Sequence, residues 1–195
     1  MRDPDTAAEK ERFRRAALAA RDAIPETRRI EAALALADRA DALGLEPGET
    51  VAAYWPIRSE IDPRPLLFAL HERGGRMALP VAVGEGLAFR ELTRTGDLAP
   101  AGFGTLAPPE GAPELVPDFV LVPLAAFDAG GSRLGYGRGY YDRAIAALRA
   151  GGHAPRLVGL AFAAQEAERV PTEAHDAPLD GVLTELGFRP SSPSA

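Results

Sequence analysis

The stretch Arg133-Leu134-Gly135-Tyr136-Gly137-Arg138-Gly139-Tyr140-Tyr141-Asp142 sets three glycines at alternate positions, adds two arginines and ends in two tyrosines and an aspartate. Glycine lacks a Cβ and accepts positive φ, so successive main-chain N–H groups in such a run can point into one hollow and approach phosphate oxygens closely. A helix beginning near Tyr140 adds the positive end of its dipole, and Arg133 and Arg138 supply full charges. Asp142, in the first turn, does not help an anion directly, but it can hold a Mg²⁺ that bridges phosphates. The spacing is neither the G-x-G-x-x-G of a dinucleotide site nor the G-x-x-x-x-G-K-[ST] of a P-loop.

Composition limits what can surround this motif. At 195 residues, 46% hydrophobic and 26% charged, the chain suits one sizeable core. A formal charge of −6 argues against a general nucleic-acid surface, so any anion site is local. The absence of cysteine removes disulfides, thiolate zinc sites and cysteine nucleophiles, and fits a reducing compartment. The start has no apolar signal region, and Phe119-Val-Leu-Val-Pro-Leu-Ala-Ala-Phe127 falls far short of the roughly 20 residues needed to cross a bilayer. A cytoplasmic protein is expected, without nucleic-acid or membrane partners, and read as a monomer. Of 22 cationic side chains, Lys10 is the only lysine, which invites a specific role for it.

The elements that must position these groups follow from periodicity. Phe13, Ala17, Ala20 and Ile24 recur at helical spacing, with Lys10, Arg14 and Arg21 as a cationic stripe beside them. A second helix is expected from Pro25 to a stop at Gly44, and a buried strand at 49–55 ends at Trp55. A helix at 63–75, strands at 76–81 and 87–92, and a long ordered Pro- and Gly-rich loop at 95–117 come next. Residues 118–127 read as the clearest core strand, 140–152 as a helix, 156–162 and 181–188 as further strands. Alternating strands and helices predict a three-layer α/β/α fold, its sheet largely parallel and covered on both faces. One domain over 1–188 is expected, with a helical part at 7–43, an α/β core at 50–188 and a disordered tail at 189–195. The glycine run then lies where such sheets bind ligands, at the carboxyl ends of strands.

Val122-Pro-Leu-Ala-Ala-Phe-Asp-Ala-Gly-Gly-Ser-Arg-Leu-Gly-Tyr-Gly-Arg-Gly-Tyr-Tyr-Asp142 resembles the signature of the 5-formyltetrahydrofolate cyclo-ligase (5,10-methenyltetrahydrofolate synthetase) family. Four further blocks, 10–25, 52–62, 102–110 and 175–185, are similar to the family's N-terminal helix, substrate loop, folate-facing loop and C-terminal element, in the same order. The resemblance implies closure of 5-formyltetrahydrofolate to 5,10-methenyltetrahydrofolate with ATP and Mg²⁺, releasing ADP and phosphate through a phosphorylated formyl intermediate. A sugar-phosphate isomerase and a non-catalytic folate or nucleotide binder are the alternatives.

By family position, Lys10 and Arg14 would reach ATP phosphates, with Arg133, Leu134, Gly135, Tyr136, Gly137, Arg138, Gly139, Tyr140 and Tyr141 wrapping the triphosphate. Arg133 and Arg138 would stabilise charge during transfer. Asp142 and Asp176 would hold Mg²⁺, with Asp180 left open. Glu60 would meet the pterin or position the formyl group, and Trp55, Phe103 and Tyr140 would line the folate site, where flat rings suit stacking. The loop Phe103-Gly-Thr-Leu-Ala-Pro108 departs from the family's Ile-Pro pair after the glycine. His71 and His153 read as surface residues and His175 as a loop histidine.

Overall fold

Strand residues of the chain are apolar at odd and even positions alike, so each strand must be covered on both faces. Val51, Met77, Leu79, Leu121, Val158, Leu160 and Leu183 enter one core cluster, whereas Ala52, Ala78, Val120, Val122, Leu157 and Val182 enter another on the opposite side. The computed structural model describes residues 4–84, 86–94, 96–102, 104–173 and 176–192. In chain order its elements are α1 (Pro4–Asp22), α2 (Glu26–Ala37), β1 (Thr50–Ala52), α3 (Arg64–Glu72), β2 (Arg76–Val83) and β3 (Gly86–Leu92). Then come β4 (Ala99–Pro100), β5 (Leu106–Ala107), β6 (Phe119–Pro123), β7 (Ala126–Phe127), β8 (Arg133–Leu134), α4 (Tyr140–Ala150), β9 (Arg156–Leu160), β10 (Gly181–Thr184) and β11 (Gly187–Pro190).

The main sheet has the order β11-β10-β9-β6-β1-β2-β3. Its inner five strands run parallel, and an antiparallel strand closes each edge through the β2–β3 and β10–β11 hairpins. Ala32 and Leu36 of α2 and Leu66, Leu67 and Leu70 of α3 cover one face, and Ala144 and Ile145 of α4 cover the other. This is the expected three-layer α/β/α arrangement. None of the described helices is long and apolar enough to cross a membrane.

Several boundaries differ from the periodicity reading, each for a local reason. The second helix stops at Ala37; Arg39 leaves helical geometry (φ −106°, ψ 13°), and a 3₁₀ turn at Ala40–Leu43 follows before left-handed Gly44. That break lets Ala40 and Leu43 both reach the core, at 0% and 1% exposure. The single strand expected at 118–127 divides at Pro123: β6 stays in the main sheet, and β7 turns away to pair with β8. Buried Gln165 takes up the carbonyls freed at this exit, its Nε2 donating to Leu124 O (2.9 Å) and Ala125 O (3.0 Å). The 95–117 segment carries the β4–β5 ladder and then runs along β3, where Glu91 N–H donates to Pro113 O and Leu115 N–H to Phe89 O, both at 2.8 Å. It thereby screens an exposed sheet edge. Residues 181–188 form a hairpin instead of one strand, and the tail begins later than expected, since Arg189 and Pro190 pair with β10.

The turn between β7 and β8 is built by Asp128, whose carboxylate accepts from Gly130 N–H and Ser132 N–H (3.0 Å each) and from Val170 N–H (2.9 Å). Gly131 in this turn has φ 85°, and a Cβ there would lie 2.6 Å from Leu179 O and 2.5 Å from Ser191 Oγ. Gly131→Ala is therefore expected to cost about 2–4 kcal/mol of stability. Urea unfolding should show a lower midpoint at unchanged slope.

Candidate active site

α1 is unusual in what it buries. Lys10, Phe13, Arg14, Ala17 and Arg21 share one face of the helix, since positions three and four apart stack on each other. Phe13 and Ala17 pack on Ala126, Leu134 and Val170. The cationic stripe expected at the helix edge is in fact its inward face: Lys10 is 7% and Arg21 2% exposed, whereas Ala20 points outward. Burial of cations is tolerable only with good acceptors, and all three find acceptors on chain segments other than α1.

Lys10 Nζ donates to Glu173 Oε2 at 2.9 Å and Asp176 Oδ2 at 2.5 Å. Asp176 also accepts from Glu173 N–H at 2.7 Å. Arg14 Nε donates to Gly135 O at 2.7 Å, and its guanidinium lies on the glycine run, with a second contact to Glu11. Gly137 (φ 85°) and Gly139 (φ 64°) are left-handed, while Gly135 is not, so two of the three glycines use that freedom. A Cβ at Gly137 would sit 3.2 Å from the Arg14 guanidinium carbon, a tight contact that a small shift of that side chain relieves, so it is the turn's positive φ that calls for glycine here. Gly139 caps α4, whose first residue is Tyr140, and the Arg143 guanidinium stands 5.1 Å over the Tyr140 ring.

Arg133 is 7% exposed. One guanidinium nitrogen donates to Ala177 O and the other to Asp142 Oδ1 at 2.6 Å, and Ala177 N–H donates to that same oxygen at 3.2 Å. Asp142 and Asp176, far apart in sequence, are thus brought to the two sides of one peptide unit, each paired with a cation. Arg138 is exposed on the same loop. Asp180 lies elsewhere: its carboxylate accepts from Leu157 N–H at 2.7 Å, at the amino end of β9, opposite the site.

The loop after β1 supplies the third part. Arg58 has φ 53°, the one positive value among non-glycine residues described. The turn is closed twice by Glu60, whose N–H donates to Ile57 O (3.1 Å) and whose Oε2 accepts from Ile57 N–H (2.8 Å). Glu60 is 8% exposed. Burial pushes its carboxyl above the ordinary carboxylate range, and a hydrogen bond from Tyr136, the Ile57 N–H and the Arg21 charge pull partly against that. Tyr136 and Tyr141 are held strongly in the neutral form, first by burial and then by the Glu60 charge. Arg21 donates from Nε to Ser59 Oγ at 3.0 Å and from a terminal nitrogen to the Tyr136 hydroxyl, and Ser59 in turn donates to Asp22. Trp55 is half-buried under the Arg64 guanidinium, 4.8 Å from its ring centroid.

The structure therefore brings Lys10, Arg14, Arg133, Tyr136, Tyr140, Asp142, Asp176 and Glu60 to one end of the sheet. Phe103 and His175 lie outside the described residues. His71 is half-buried, its Nδ1 2.9 Å from Gly75 O, and His153 is exposed. Sequence reasoning gave no role to Arg21, Ser59, Glu173 or Asp128. Arg21 had a signal, its place in the Lys10–Arg14 stripe; Glu173 had none, because only folding sets it beside Lys10.

A largely parallel α/β sheet with charged groups gathered outside its carboxyl ends has the construction of an enzyme acting on small molecules. The profile of the 5-formyltetrahydrofolate cyclo-ligase family matches residues 6–185. A 5-formyltetrahydrofolate cyclo-ligase of Mycolicibacterium smegmatis is 34% identical over 187 residues, covering 90% of this chain and 93% of that protein. Its Escherichia coli K12 counterpart is 32% identical over 143 residues, 69% of this chain and 77% of that protein. The solved 5,10-methenyltetrahydrofolate synthetase of Aquifex aeolicus superposes with a TM-score of 0.74 at 29% identity, over 95% of this chain and 94% of that one. The chain belongs to the 5-formyltetrahydrofolate cyclo-ligase family, an enzyme family, as its glycine-rich signature indicates.

Lys10→Met removes the ammonium that Glu173 and Asp176 share. A loss of about 2 kcal/mol is expected, with faster amide exchange at Asp176 and Ala177 than at β6.

Proposed function

We propose that the chain closes 5-formyltetrahydrofolate to 5,10-methenyltetrahydrofolate with ATP and Mg²⁺, through a formyl group phosphorylated on its oxygen. The observation that carries this reading is the pairing at the α4 N-terminus. Asp142 and Asp176 are each matched with a cation, Arg133 and Lys10, beside a left-handed glycine turn. Such a site is charge-compensated without ligand and can trade partners with a ligand that carries both signs. Two carboxylates suit Mg²⁺, which keeps waters and phosphate oxygens for the rest of its shell, and fit it less as an all-protein cage. Asp142 and Asp176 would hold it, and it would supply charge neutralisation between the terminal phosphates. Among the described residues no group of three acidic or histidine side chains could do so alone.

The chain's own groups then have defined work. Lys10, Arg14 and Arg133 exchange carboxylate or carbonyl partners for phosphate oxygens, and the main chain at 135–139, with the α4 N-terminus, adds N–H donors. Arg138 neutralises charge as the γ-phosphoryl moves to the formyl oxygen and ADP leaves. The anilino nitrogen next attacks the formyl carbon and loses its proton, and the former formyl oxygen departs in phosphate. No side-chain nucleophile is needed; alignment of the two substrates carries the rate. Glu60, ionised, accepts hydrogen bonds from the pterin, and Trp55 and Tyr140 provide flat surfaces beside it.

The test is an absorbance assay for the methenyl product with folate, nucleotide and metal omitted in turn; product formed without ATP, or none with all three, rejects the reading. Asp142→Asn is expected to shift the Mg²⁺ titration to higher concentration, and an unchanged titration removes Asp142 from the metal. Because burial raises the Glu60 pKa, the carboxylate is present above that value and lost as pH falls through it. Folate affinity should accordingly drop on acidification at a pH above the free carboxylate value of about 4.3. Glu60→Gln should abolish this acid limb, read as Kd against pH.

A further inference from the structure

Arg21 is the largest fully buried side chain among the described residues, and the proposed reaction gives it no part. A buried guanidinium has only N–H donors and must direct them at fixed acceptors, so its partners show what it holds. Its Nε donates to Ser59 Oγ at 3.0 Å. A terminal nitrogen donates to the Tyr136 hydroxyl, with the guanidinium carbon 5.6 Å from that ring's centroid. These partners belong to different loops. Ser59 lies in the turn between β1 and α3, directly after Arg58 at φ 53°, and Tyr136 lies in the glycine run.

Both ends of this bridge are reinforced by other residues of α1. Ser59 also donates to Asp22, so two successive residues at the end of the helix hold one hydroxyl. On the other side, Arg14 donates to Gly135 O at 2.7 Å while Arg21 holds Tyr136. The two arginines stand close to two helical turns, about 10 Å, apart along α1. Neighbouring residues of the glycine run are thus held from two separate points of one helix, which fixes the direction of the run as well as its position. Arginine suits the task, because its planar fork carries donors in set directions on separate nitrogens, whereas lysine offers a single nitrogen.

We propose that Arg21 is a positioning residue that sets the β1–α3 turn and the glycine run relative to each other, so that the two substrates, one met by each loop, bind cooperatively. The inference rests on the cyclo-ligase reading for which ligand each loop meets; the bridge itself does not. A ligand that orders one loop orders Arg21 and, through it, the other loop, so the second ligand meets a segment with less freedom left to lose. By linkage the gain is the same in whichever order the ligands arrive.

Amide hydrogen exchange of the ligand-free protein reads the bridge across the two loops. Glu60 N–H and Ile57 N–H are both hydrogen-bonded within the β1–α3 turn. Tyr136→Phe, a change confined to the glycine run, is expected to speed their exchange several-fold relative to β6. Unchanged exchange at both amides overturns the proposal. In binding measurements, 5-formyltetrahydrofolate should be held about tenfold more tightly when a non-hydrolysable ATP analogue and Mg²⁺ are present. That gain should vanish in Arg21→Met, Ser59→Ala and Tyr136→Phe alike, whereas a merely structural Arg21 would lower stability and leave the gain intact. No gain in the unaltered protein, or a full gain in any of the three variants, also overturns the proposal. Should Arg21→Met fail to fold, the two hydroxyl variants decide alone. Failure of the unaltered protein to bind either 5-formyltetrahydrofolate or the analogue rejects the cyclo-ligase reading instead and leaves the exchange result standing.

Discussion

Three cations on one helix face must all find acceptors before α1 can dock. An uncompensated buried guanidinium or ammonium costs several kcal/mol, more than the thin apolar contact of Phe13 and Ala17 with Ala126, Leu134 and Val170 can offset. Lys10 needs Glu173 and Asp176, Arg14 needs Gly135 O, and Arg21 needs Ser59 and Tyr136. The helix and the site are therefore one construction. The β1–α3 loop, the glycine run and the segment of Glu173 and Asp176 are each bonded by a charge that α1 brings.

The same constraint of paired charges governs the rest of the site. Arg133 and Asp142 satisfy each other across the start of α4, and Ala177 is engaged by both, through its carbonyl and its N–H. Asp128 performs a comparable service for neutral groups, collecting three main-chain N–H donors and so fixing the turn that delivers Arg133. Charge pairing keeps the cations and acids at a set spacing. Glu60 stands apart from this balance. It is buried in the turn at Arg58 and accepts from the neutral Ile57 N–H, which suits recognition of N–H groups better than it suits binding a phosphate.

Much of the fold was legible because burial on both faces leaves a pattern in strands. The doubly apolar runs at 49–55, 118–127 and 156–162 and the amphipathic segments between them define the three layers. Misplaced boundaries trace to groups whose partners are distant. Pro123 ends β6, but that 124–127 continues as a separate ladder depends on Gln165 taking up Leu124 O and Ala125 O. The break at Arg39 depends on where the core accepts Ala40 and Leu43. Arg189 and Pro190 look like tail until β10 is there to pair with them.

By itself the amino-acid order determined the fold class, the family and the chemical character of the glycine run, because those rest on local spacing and on side-chain types that cannot be exchanged. Which charges meet was decided only by tertiary structure. The inward turn of Lys10 and Arg21, the approach of Asp176 to Asp142 and the burial of Glu60 all join residues from separate segments. Electrostatic partnership acts through a few ångströms of space, and no periodicity along the chain encodes which distant segment will occupy that space.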